Sequence, residues 1–578
     1  MNSLAPSQNS LAPSQEFHSN LTKTPTVHPP IPLQSFFPTL TWTAGGPGAF
    51  RKTAIIPLFI LLFCTQGAIG LAQLAQDRYQ LGRRLARFER AWQLGNNTLR
   101  SASTPAMEKA VTSFFSLQLP RAGQSLDKAW MDALGLPPSD QKRWMNSTPW
   151  LVDWDSPCIA SNSSPLVLRG SLRSFYSNEA PSNETQSTPD ILSIPWQFSI
   201  FRWQPSYEEN TSSSPPTSSP PTSPKPIAEF QFSPPTSSDA PLEVQLPPLP
   251  PGDYLAVITL GKNLTHPELL CEAFSVIENL EARIEKVESW LDEHRRDSGS
   301  TLISTTRFAA KEILKGRKGT PTESDLPWNQ LLNDFELLSN PEQLSNLAPK
   351  SASKPNSNPS TLQTWSQKPG TKWIQLARDK SSQILRVEVP DKVSENSGAP
   401  PQTPVLIALH GAGGSENMFF ETYGAGRLVK LAKQRGWIVV SPRQTMSGLG
   451  MDVPKMLDAL EEILPIDRNS ILLCGHSMGA AQAMSQVSRA PDSIRAVAAL
   501  GGGGAVRPSQ ALQKIPFFVA AGERDFGKPR AKALADQLKQ SKCTIDYKEY
   551  PNVEHMVIVQ AALDDVFDFF DTHVPNTR

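Results

Sequence analysis

The sequence has few cysteines for its length and no excess of charge of either sign. Five cysteines in 578 residues are too few to define a disulfide-rich scaffold. Lysine plus arginine and aspartate plus glutamate each number 55, so the chain lacks the net positive field that holds nucleic acid. We therefore expect no nucleic-acid partner, and the function must come from local groupings of side chains.

Motifs for metal ions and phosphate groups are also missing. The chain has no His-Glu-x-x-His sequence and no cluster of His, Cys and carboxylate residues with the spacing of a zinc site. The glycines at 501–504 are not followed by the Gly-Lys-Ser or Gly-Lys-Thr of a phosphate-binding loop, so they indicate a turn after a strand. We expect neither a metal ion nor an organic cofactor.

The first seventy residues predict disorder and then a targeting segment. Residues 1–50 contain a repeated heptapeptide and are rich in Pro, Ser and Thr, which predicts disorder. Residues 51–72 pass from a basic pair through an apolar run to small residues, as in a secretory signal peptide cleaved between Ala68 and Ala72, or in an uncleaved anchor. We expect a secreted, periplasmic or cell-surface protein, in contact with a membrane only if this segment is retained.

The middle of the chain divides by its hydrophobic patterning. Apolar residues at helical spacing predict helical segments at 73–150 and 278–347. Short alternating runs between them, at 151–277, predict a small β-sandwich-like module. Cys158 and Cys271 bracket this module, and whether they form a disulfide is left open.

A linker precedes the last domain. Residues 348–369 are rich in Pro, Ser and Asn and offer few side chains that could pack across them. The sequence therefore predicts a domain at 370–576 that is separable from the region before it. The chain as a whole is predicted to be multidomain.

The last domain carries the motifs that indicate chemistry. Continuous apolar runs at 405–409 and 471–474 are typical of strands buried on both faces of a parallel sheet. The first run ends in His-Gly-Ala-Gly-Gly at 410–414, and the second leads into Gly-His-Ser-Met-Gly and an Ala-rich helix. Glycines permit the sharp turn that exposes Ser477 at the end of its strand. Strand, turn and helix together make this motif far more specific than the five residues alone.

With these motifs, the last two hundred residues resemble the α/β-hydrolase superfamily. They are most similar to compact extracellular esterases of the polyhydroxybutyrate depolymerase and feruloyl or acetyl-xylan esterase type, and to phospholipase/carboxylesterase proteins. The resemblance implies a mainly parallel sheet with helices on both faces. The other two thirds of the chain lie outside it.

The resemblance also guides the choice of catalytic partners. In this fold an acid and then a histidine follow the nucleophile. After Ser477 only His555 and His573 remain, and His555 follows a loop and precedes a helix whereas His573 lies in the tail. Asp525 stands in the loop directly after an apolar strand, where the superfamily places the acid, and Glu523 is the reserve candidate. The predicted catalytic residues are Ser477, Asp525 and His555.

The predicted reaction is ester hydrolysis through an acyl-enzyme. The backbone N–H of Met478 and that of Gly411 or Ala412 are expected to form the oxyanion hole. Only 47 residues separate Ser477 from Asp525, and only 29 separate Asp525 from the histidine. No large lid fits in these segments, so an uncovered site is expected.

An uncovered site favours short-chain or aromatic acyl groups, on a small molecule or on a polysaccharide. A serine peptidase of the prolyl-oligopeptidase type is one alternative, although residues 73–350 show no blade-like repeats. A catalytically inactive hydrolase fold that binds at a surface is the other alternative. The oligomeric state stays open.

Overall fold

The structure is a computed structural model. It describes residues 68–176, 190–205, 225–237, 240–261, 268–297, 299–320, 323–340, 361–377, 382–391, 402–444 and 451–574. The predicted disordered segment, residues 51–67 of the targeting segment and most of the predicted linker lie outside these ranges. Within them, no helix is long and apolar enough to cross a membrane.

The described chain begins with four helices. They are α1 (Ala68–Leu94), α2 (Asn97–Phe115), α3 (Leu119–Ala133) and α4 (Pro138–Met145). The Asn96 side chain caps α2 by accepting from the Leu99 N–H at 3.1 Å. A fully buried Asp127 on α3 pairs with Arg84 and Arg87 of α1 at 3.2 and 2.6 Å. These ion pairs fix α3 against α1, because leaving one charge buried and unpaired would be costly.

A strand-rich block follows the four helices. Its strands are β1 (Trp150–Trp154), β2 (Cys158–Ala160), β3 (Leu166–Ser174), β4 (Trp196–Arg202), β5 (Ala228–Phe232), β6 (Leu242–Leu246), β7 (Gly252–Leu260), β8 (Glu268–Cys271) and β9 (Ala273–Ile277). They form one continuous hydrogen-bonded sheet in the order β2-β9-β7-β8-β1-β3-β6, with β4 on β7 and β5 on β4. Strand β8 joins the two halves of this sheet, and both halves contribute to one apolar core, which contains Trp154 of β1 and Phe198 of β4. The β-sandwich-like module expected here stays a prediction.

The cysteines of the described residues are all unpaired. Cys158 on β2 and Cys271 on β8 are buried free thiols, and so are Cys474 and Cys543. Strands β9 and β7 lie between β2 and β8 in the sheet. The disulfide that the sequence left open between Cys158 and Cys271 is therefore not formed in the structure.

Three helices of the described residues lie between the strand block and the last domain. They are α5 (Leu280–Glu293), α6 (Thr301–Arg317) and α7 (Trp328–Ser339). Asp253 on β7 accepts from the backbone N–H groups of Asn329 and Gln330, at the start of α7, at 2.8 and 3.1 Å. Thr305 on α6 accepts from the Gln375 N–H of the last domain at 3.1 Å.

The last domain is built on an eight-stranded sheet. Its strands are β10 (Gly370–Leu376), β11 (Gln383–Val389), β12 (Thr403–Leu409), β13 (Ile438–Pro442), β14 (Ile466–His476), β15 (Ala496–Leu500), β16 (Phe517–Gly522) and β17 (Ile545–Tyr550). The order is β10-β11-β13-β12-β14-β15-β16-β17. The six strands β12 to β17 pair in parallel with one another. Strand β11 is antiparallel to both of its neighbours, β10 and β13. Every residue of β12, β13, β15 and β16 is buried, as continuous apolar runs predict.

Helices cover both faces of this sheet. They are α8 (Thr361–Ser366), α9 (Arg427–Gln434), α10 (Val453–Glu461), α11 (Met478–Arg489), α12 (Lys528–Gln540) and α13 (Ile558–Asp571). Neighbouring residues of β12 point to opposite faces, so Leu406 joins one apolar core and Val405 joins the other. Helices α9 and α13 pack in the first core, and α10, α11 and α12 pack in the second.

The N-terminal helices belong to the first of these cores. Leu81 and Phe88 of α1, Met107 of α2 and Leu126 of α3 share it with residues of the last domain such as Phe567. The described residues from 68 to 574 form one compact unit. Helices α1–α3 therefore complete the core on one face of the sheet, which argues against the expectation that residues 370–576 are separable from the preceding region.

Candidate active site

The nucleophile turn lies where β14 ends and α11 begins. Ser477 has φ 56° and ψ −115°, a left-handed backbone conformation that is strained for a residue with a Cβ. A Cβ at Gly475 would lie 2.3 Å from the Gly479 carbonyl oxygen, so glycine is required on at least one side of the turn. The turn holds the Ser477 side chain at the carboxyl edge of the sheet, as the sequence predicts.

The structure brings together the three side chains that were predicted as catalytic. Ser477 Oγ lies 2.9 Å from His555 Nε2, and His555 Nδ1 lies 2.7 Å from Asp525 Oδ1. A carboxylate only accepts hydrogen bonds, so Nδ1 carries the proton and Nε2 is left to accept the serine proton. Asp525 Oδ1 also accepts from the Gly527 N–H at 2.6 Å, which holds the carboxylate in place. The reserve candidate Glu523 instead accepts from the Asn552 N–H at 3.0 Å.

His555 is enclosed by neighbours of two kinds. The side chain of Phe526, itself 58% exposed, lies with its ring centroid 3.9 Å from that of the imidazole, and Phe115 of α2 lies 6.3 Å away. Beneath the site Glu554 is buried and accepts from the backbone N–H groups of Met556 and Val557. Burial raises the pKa of Glu554 to about 7, although those hydrogen bonds oppose the shift.

The two loops expected to form the oxyanion hole both border the site. Met478 is the first residue of α11, so its N–H has no acceptor within the helix and points towards the helix N-terminus. Gly411 and Ala412 line the same cavity as Ser477. The Gly411 N–H already donates to the Tyr423 hydroxyl at 3.4 Å, whereas no such contact engages the Ala412 N–H among the described residues. This geometry favours Ala412 over Gly411 as the second donor.

A buried network that the sequence did not predict links these loops to His555. His476 Nε2 lies 2.8 Å from the His555 carbonyl oxygen, and its Nδ1 lies 3.0 Å from the Tyr423 hydroxyl. Burial lowers the pKa of His476 well below its ordinary value, so the ring is neutral. Nε2 must therefore donate to the carbonyl, and Nδ1 accepts from Tyr423. Tyr423 lies in a segment without a recognisable motif, and the sequence offered no signal for its role.

Helices from the start of the chain cover the site. The Glu89 carboxylate of α1 accepts from the Gly424 N–H, next to Tyr423, and Thr104 of α2 donates to the Asn552 carbonyl at 2.9 Å. A cavity of about 700 Å³ lies below these helices and reaches Ser477 and His555. The expectation of an uncovered site is wrong, because the cover comes from residues more than three hundred positions earlier and not from an insertion within the last domain.

The site has no arrangement of side chains suited to a metal ion. In the part of the chain that the structure describes, no three His, Cys, Asp or Glu side chains are grouped as metal ligands would be.

Comparisons with known proteins find likeness in structure alone. No family model matches the chain, and no curated protein matches it. A thermostable esterase aligns at 17% identity and a TM-score of 0.30, over 35% of this chain and 62% of the esterase, which is less than two thirds of its length. A ferulic acid esterase from Anaeromyces mucronatus aligns at 18% identity and a TM-score of 0.31, over 39% of this chain and 96% of the esterase.

An S-formylglutathione hydrolase from Agrobacterium tumefaciens aligns at 16% identity and a TM-score of 0.29, over 35% of this chain and 96% of that hydrolase. These alignments cover little more than a third of the chain, so the function has to be argued from the geometry of the site. The strand order, the nucleophile turn and the arrangement of serine, histidine and aspartate in the last domain are those of an α/β-hydrolase fold.

Proposed function

We propose that the protein is a serine hydrolase that cleaves carboxylic esters through an acyl-enzyme intermediate. The observation that carries the proposal is the continuous chain of contacts from Ser477 Oγ through the His555 imidazole to Asp525 Oδ1. A serine hydroxyl is a weak nucleophile at neutral pH, and an adjacent imidazole oriented by a carboxylate is the arrangement that activates it.

The proposed mechanism assigns one task to each group. His555 Nε2 takes the Ser477 proton as Oγ attacks the ester carbonyl, and Asp525 stabilises the imidazolium that forms. The N–H groups of Met478 and Ala412 would stabilise the negative oxygen of the tetrahedral intermediate. His555 then protonates the leaving alcohol. In the second half of the reaction, His555 takes a proton from water as the water attacks the acyl-enzyme, and returns that proton to Ser477 Oγ as the carboxylic acid leaves.

The two alternative functions have less support. An inactive binding protein would have no need to keep Ser477 in a strained conformation with an aligned imidazole, since such strain costs about 1–3 kcal/mol. A peptidase of the prolyl-oligopeptidase type would need a propeller. The strands at 150–277 form one continuous sheet and not a ring of blades.

The acyl specificity predicted from the sequence, short-chain or aromatic groups, needs a different basis. The preference for short-chain or aromatic acyl groups depends on an uncovered site, whereas helices α1 and α2 cover the cavity that reaches Ser477. A covered cavity can shelter a longer apolar group from water. Esters of small molecules remain the proposed substrates, and a polysaccharide would need an opening wide enough for its chain.

Export of the protein is proposed from the targeting segment at 51–72. Residues up to 67 lie outside the described part of the chain, so the proposal rests on the order of charged, apolar and small residues. Sequencing the N-terminus of the exported protein tests it. A start between Ala68 and Ala72 is expected, and a protein found only in the cytoplasm with its N-terminus intact would contradict it.

Hydrolysis of p-nitrophenyl butyrate tests the proposed function. Ser477→Ala should lower kcat by about 10³-fold or more, and Asp525→Asn by about 10²–10⁴-fold, because the imidazole loses its orientation. Asp546→Asn, on the exposed side of β17, is the matched control and should change kcat by less than about twofold. A Ser477→Ala protein with more than a tenth of the wild-type kcat would reject the proposal.

A further inference from the structure

The cavity that reaches Ser477 has an apolar wall that the proposed mechanism does not use. Helix α1 contributes Leu85, α2 contributes Met107 and Val111, and α3 contributes Leu126. None of these four side chains is more than 8% exposed, although they border an open volume of about 700 Å³. A volume of this size is within the ~300–1,000 Å³ range of small-molecule sites.

Several charges beside the cavity are satisfied within the protein. Three arginines of α1 that border it form ion pairs. These pairs are Arg78 with Glu323, Arg83 with Asp325 and Arg87 with Asp127. Each of these three guanidinium groups has a carboxylate partner that offsets part of its charge beside the cavity.

The apolar part of this wall, formed by Leu85, Met107, Val111 and Leu126, has no side-chain group that could bind a polar substrate, whereas Tyr79 and the arginines of α1 border other parts of the cavity. The backbone N–H and C=O groups in the middle of a helix are bonded to one another and are not available to a ligand. A sugar hydroxyl or a peptide group placed against Leu85, Met107 and Val111 would lose its water without gaining a partner. A hydrocarbon group loses nothing there and gains from leaving water.

We propose that α1–α3 form a binding pocket for an aliphatic chain carried by the ester substrate. The inference rests on the proposed function, since it concerns the group attached to the ester that Ser477 attacks. The chain can belong to the acyl part or to the alcohol part of the ester, because both lead away from the same carbonyl carbon. Experiments with two series of esters separate these sources.

In the acyl series, p-nitrophenyl acetate, butyrate and octanoate are compared; in the alcohol series, ethyl, butyl and octyl acetate. In the series whose chain enters the pocket, kcat/KM should rise by about fourfold per methylene, equivalent to about 0.8 kcal/mol, until the pocket is full. Butyrate should then exceed acetate, or butyl acetate exceed ethyl acetate, by roughly fifteenfold. A flat or falling profile in both series would overturn the inference.

A pair of adjacent substitutions on α2 tests where the chain binds. Val111 lines the cavity, whereas Thr112 is exposed on the other side of the helix. Val111→Trp should lower the ratio of kcat/KM for the eight-carbon ester to kcat/KM for the shortest ester of the same series by about tenfold or more. Thr112→Trp should leave the whole profile unchanged. If Val111→Trp does not fold, Ala110→Leu serves as a smaller change in the same wall. This variant should shorten the chain length that gives the highest kcat/KM.

Binding of decanoate, measured by calorimetry, gives a readout that does not depend on hydrolysis. Wild type should bind decanoate, Val111→Trp should weaken binding by about tenfold, and Thr112→Trp should not change it. Equal effects of the two tryptophans, or no binding by wild type, would overturn the inference. If decanoate binds as described but no ester is hydrolysed in a Ser477-dependent manner, the proposed function fails and the pocket stands.

Discussion

Replacing Tyr423 with phenylalanine removes one oxygen atom that joins three parts of the site. That oxygen accepts from the Gly411 N–H at 3.4 Å and donates to His476 Nδ1 at 3.0 Å. His476 in turn donates to the His555 carbonyl oxygen at 2.8 Å. Tyr423 is 2% exposed, so its hydroxyl is largely shielded from bulk water.

The expected cost follows from what the substitution leaves behind. His476 Nδ1 becomes a buried acceptor without a donor, and the Gly411 N–H loses its partner. Leaving a buried polar group unsatisfied costs about 1–3 kcal/mol, whereas the ring itself and its packing against Phe419 are kept. We therefore expect Tyr423→Phe to lower the free energy of unfolding by about 1–3 kcal/mol. Because the network also holds the backbone of His555, kcat should fall while KM changes little.

Urea unfolding and steady-state kinetics of the same protein measure both effects. Tyr547→Phe is the matched control: its hydroxyl donates to Glu549 at 2.7 Å in a solvent-exposed contact on the edge strand β17. The control should change the free energy of unfolding by no more than about 0.5 kcal/mol. If Tyr423→Phe is equally mild in both measurements, the buried network does not support the site and the reasoning is wrong.

Two further predictions concern pH and the N-terminal helices. Burial raises the pKa of Glu554 from 4.5 to about 7 in the folded chain. Between these two pH values the unfolded chain loses the Glu554 proton while the folded chain keeps it. The free energy of unfolding should therefore fall by up to about 3 kcal/mol as the pH rises from near 5 to near 7. Glu554→Gln should remove most of this fall in urea unfolding at pH values near 5 and near 7, and an unchanged fall would contradict the assignment. A chain that begins at residue 361 loses Leu81, Phe88 and Met107 from the first core and should be insoluble or unfolded by circular dichroism. A soluble fragment with wild-type activity on short esters would contradict that expectation.

The last domain was predictable because its signals are local. The apolar run at 405–409 lies within β12, the run at 471–474 lies within β14, and the glycines around Ser477 mark the turn between that strand and a helix. Once the chain order of nucleophile, acid and histidine was adopted, the choice of Asp525 and His555 needed only their positions in loops after strands. The structure places these side chains within hydrogen-bond distance of each other.

The cover of the site was not predictable in the same way. Hydrophobic periodicity indicates that α1 has an apolar face, but it does not say which surface that face meets. The contact between Glu89 and the Gly424 N–H joins residues 335 positions apart, and no pattern within either segment encodes it. The composition of 348–369 indicates a linker, but a linker does not prevent the regions on either side of it from packing together.

The most direct test of the account is covalent labelling of the intact protein with a fluorophosphonate, which reacts only with an activated serine. Peptide mapping by mass spectrometry should place a single adduct on Ser477 in wild type, and the adduct should be absent from Ser477→Ala and strongly reduced in His555→Gln. Labelling of the wild-type protein at another serine, or no labelling of a folded wild-type protein, would contradict the central claim that Ser477, His555 and Asp525 act together as a catalytic site.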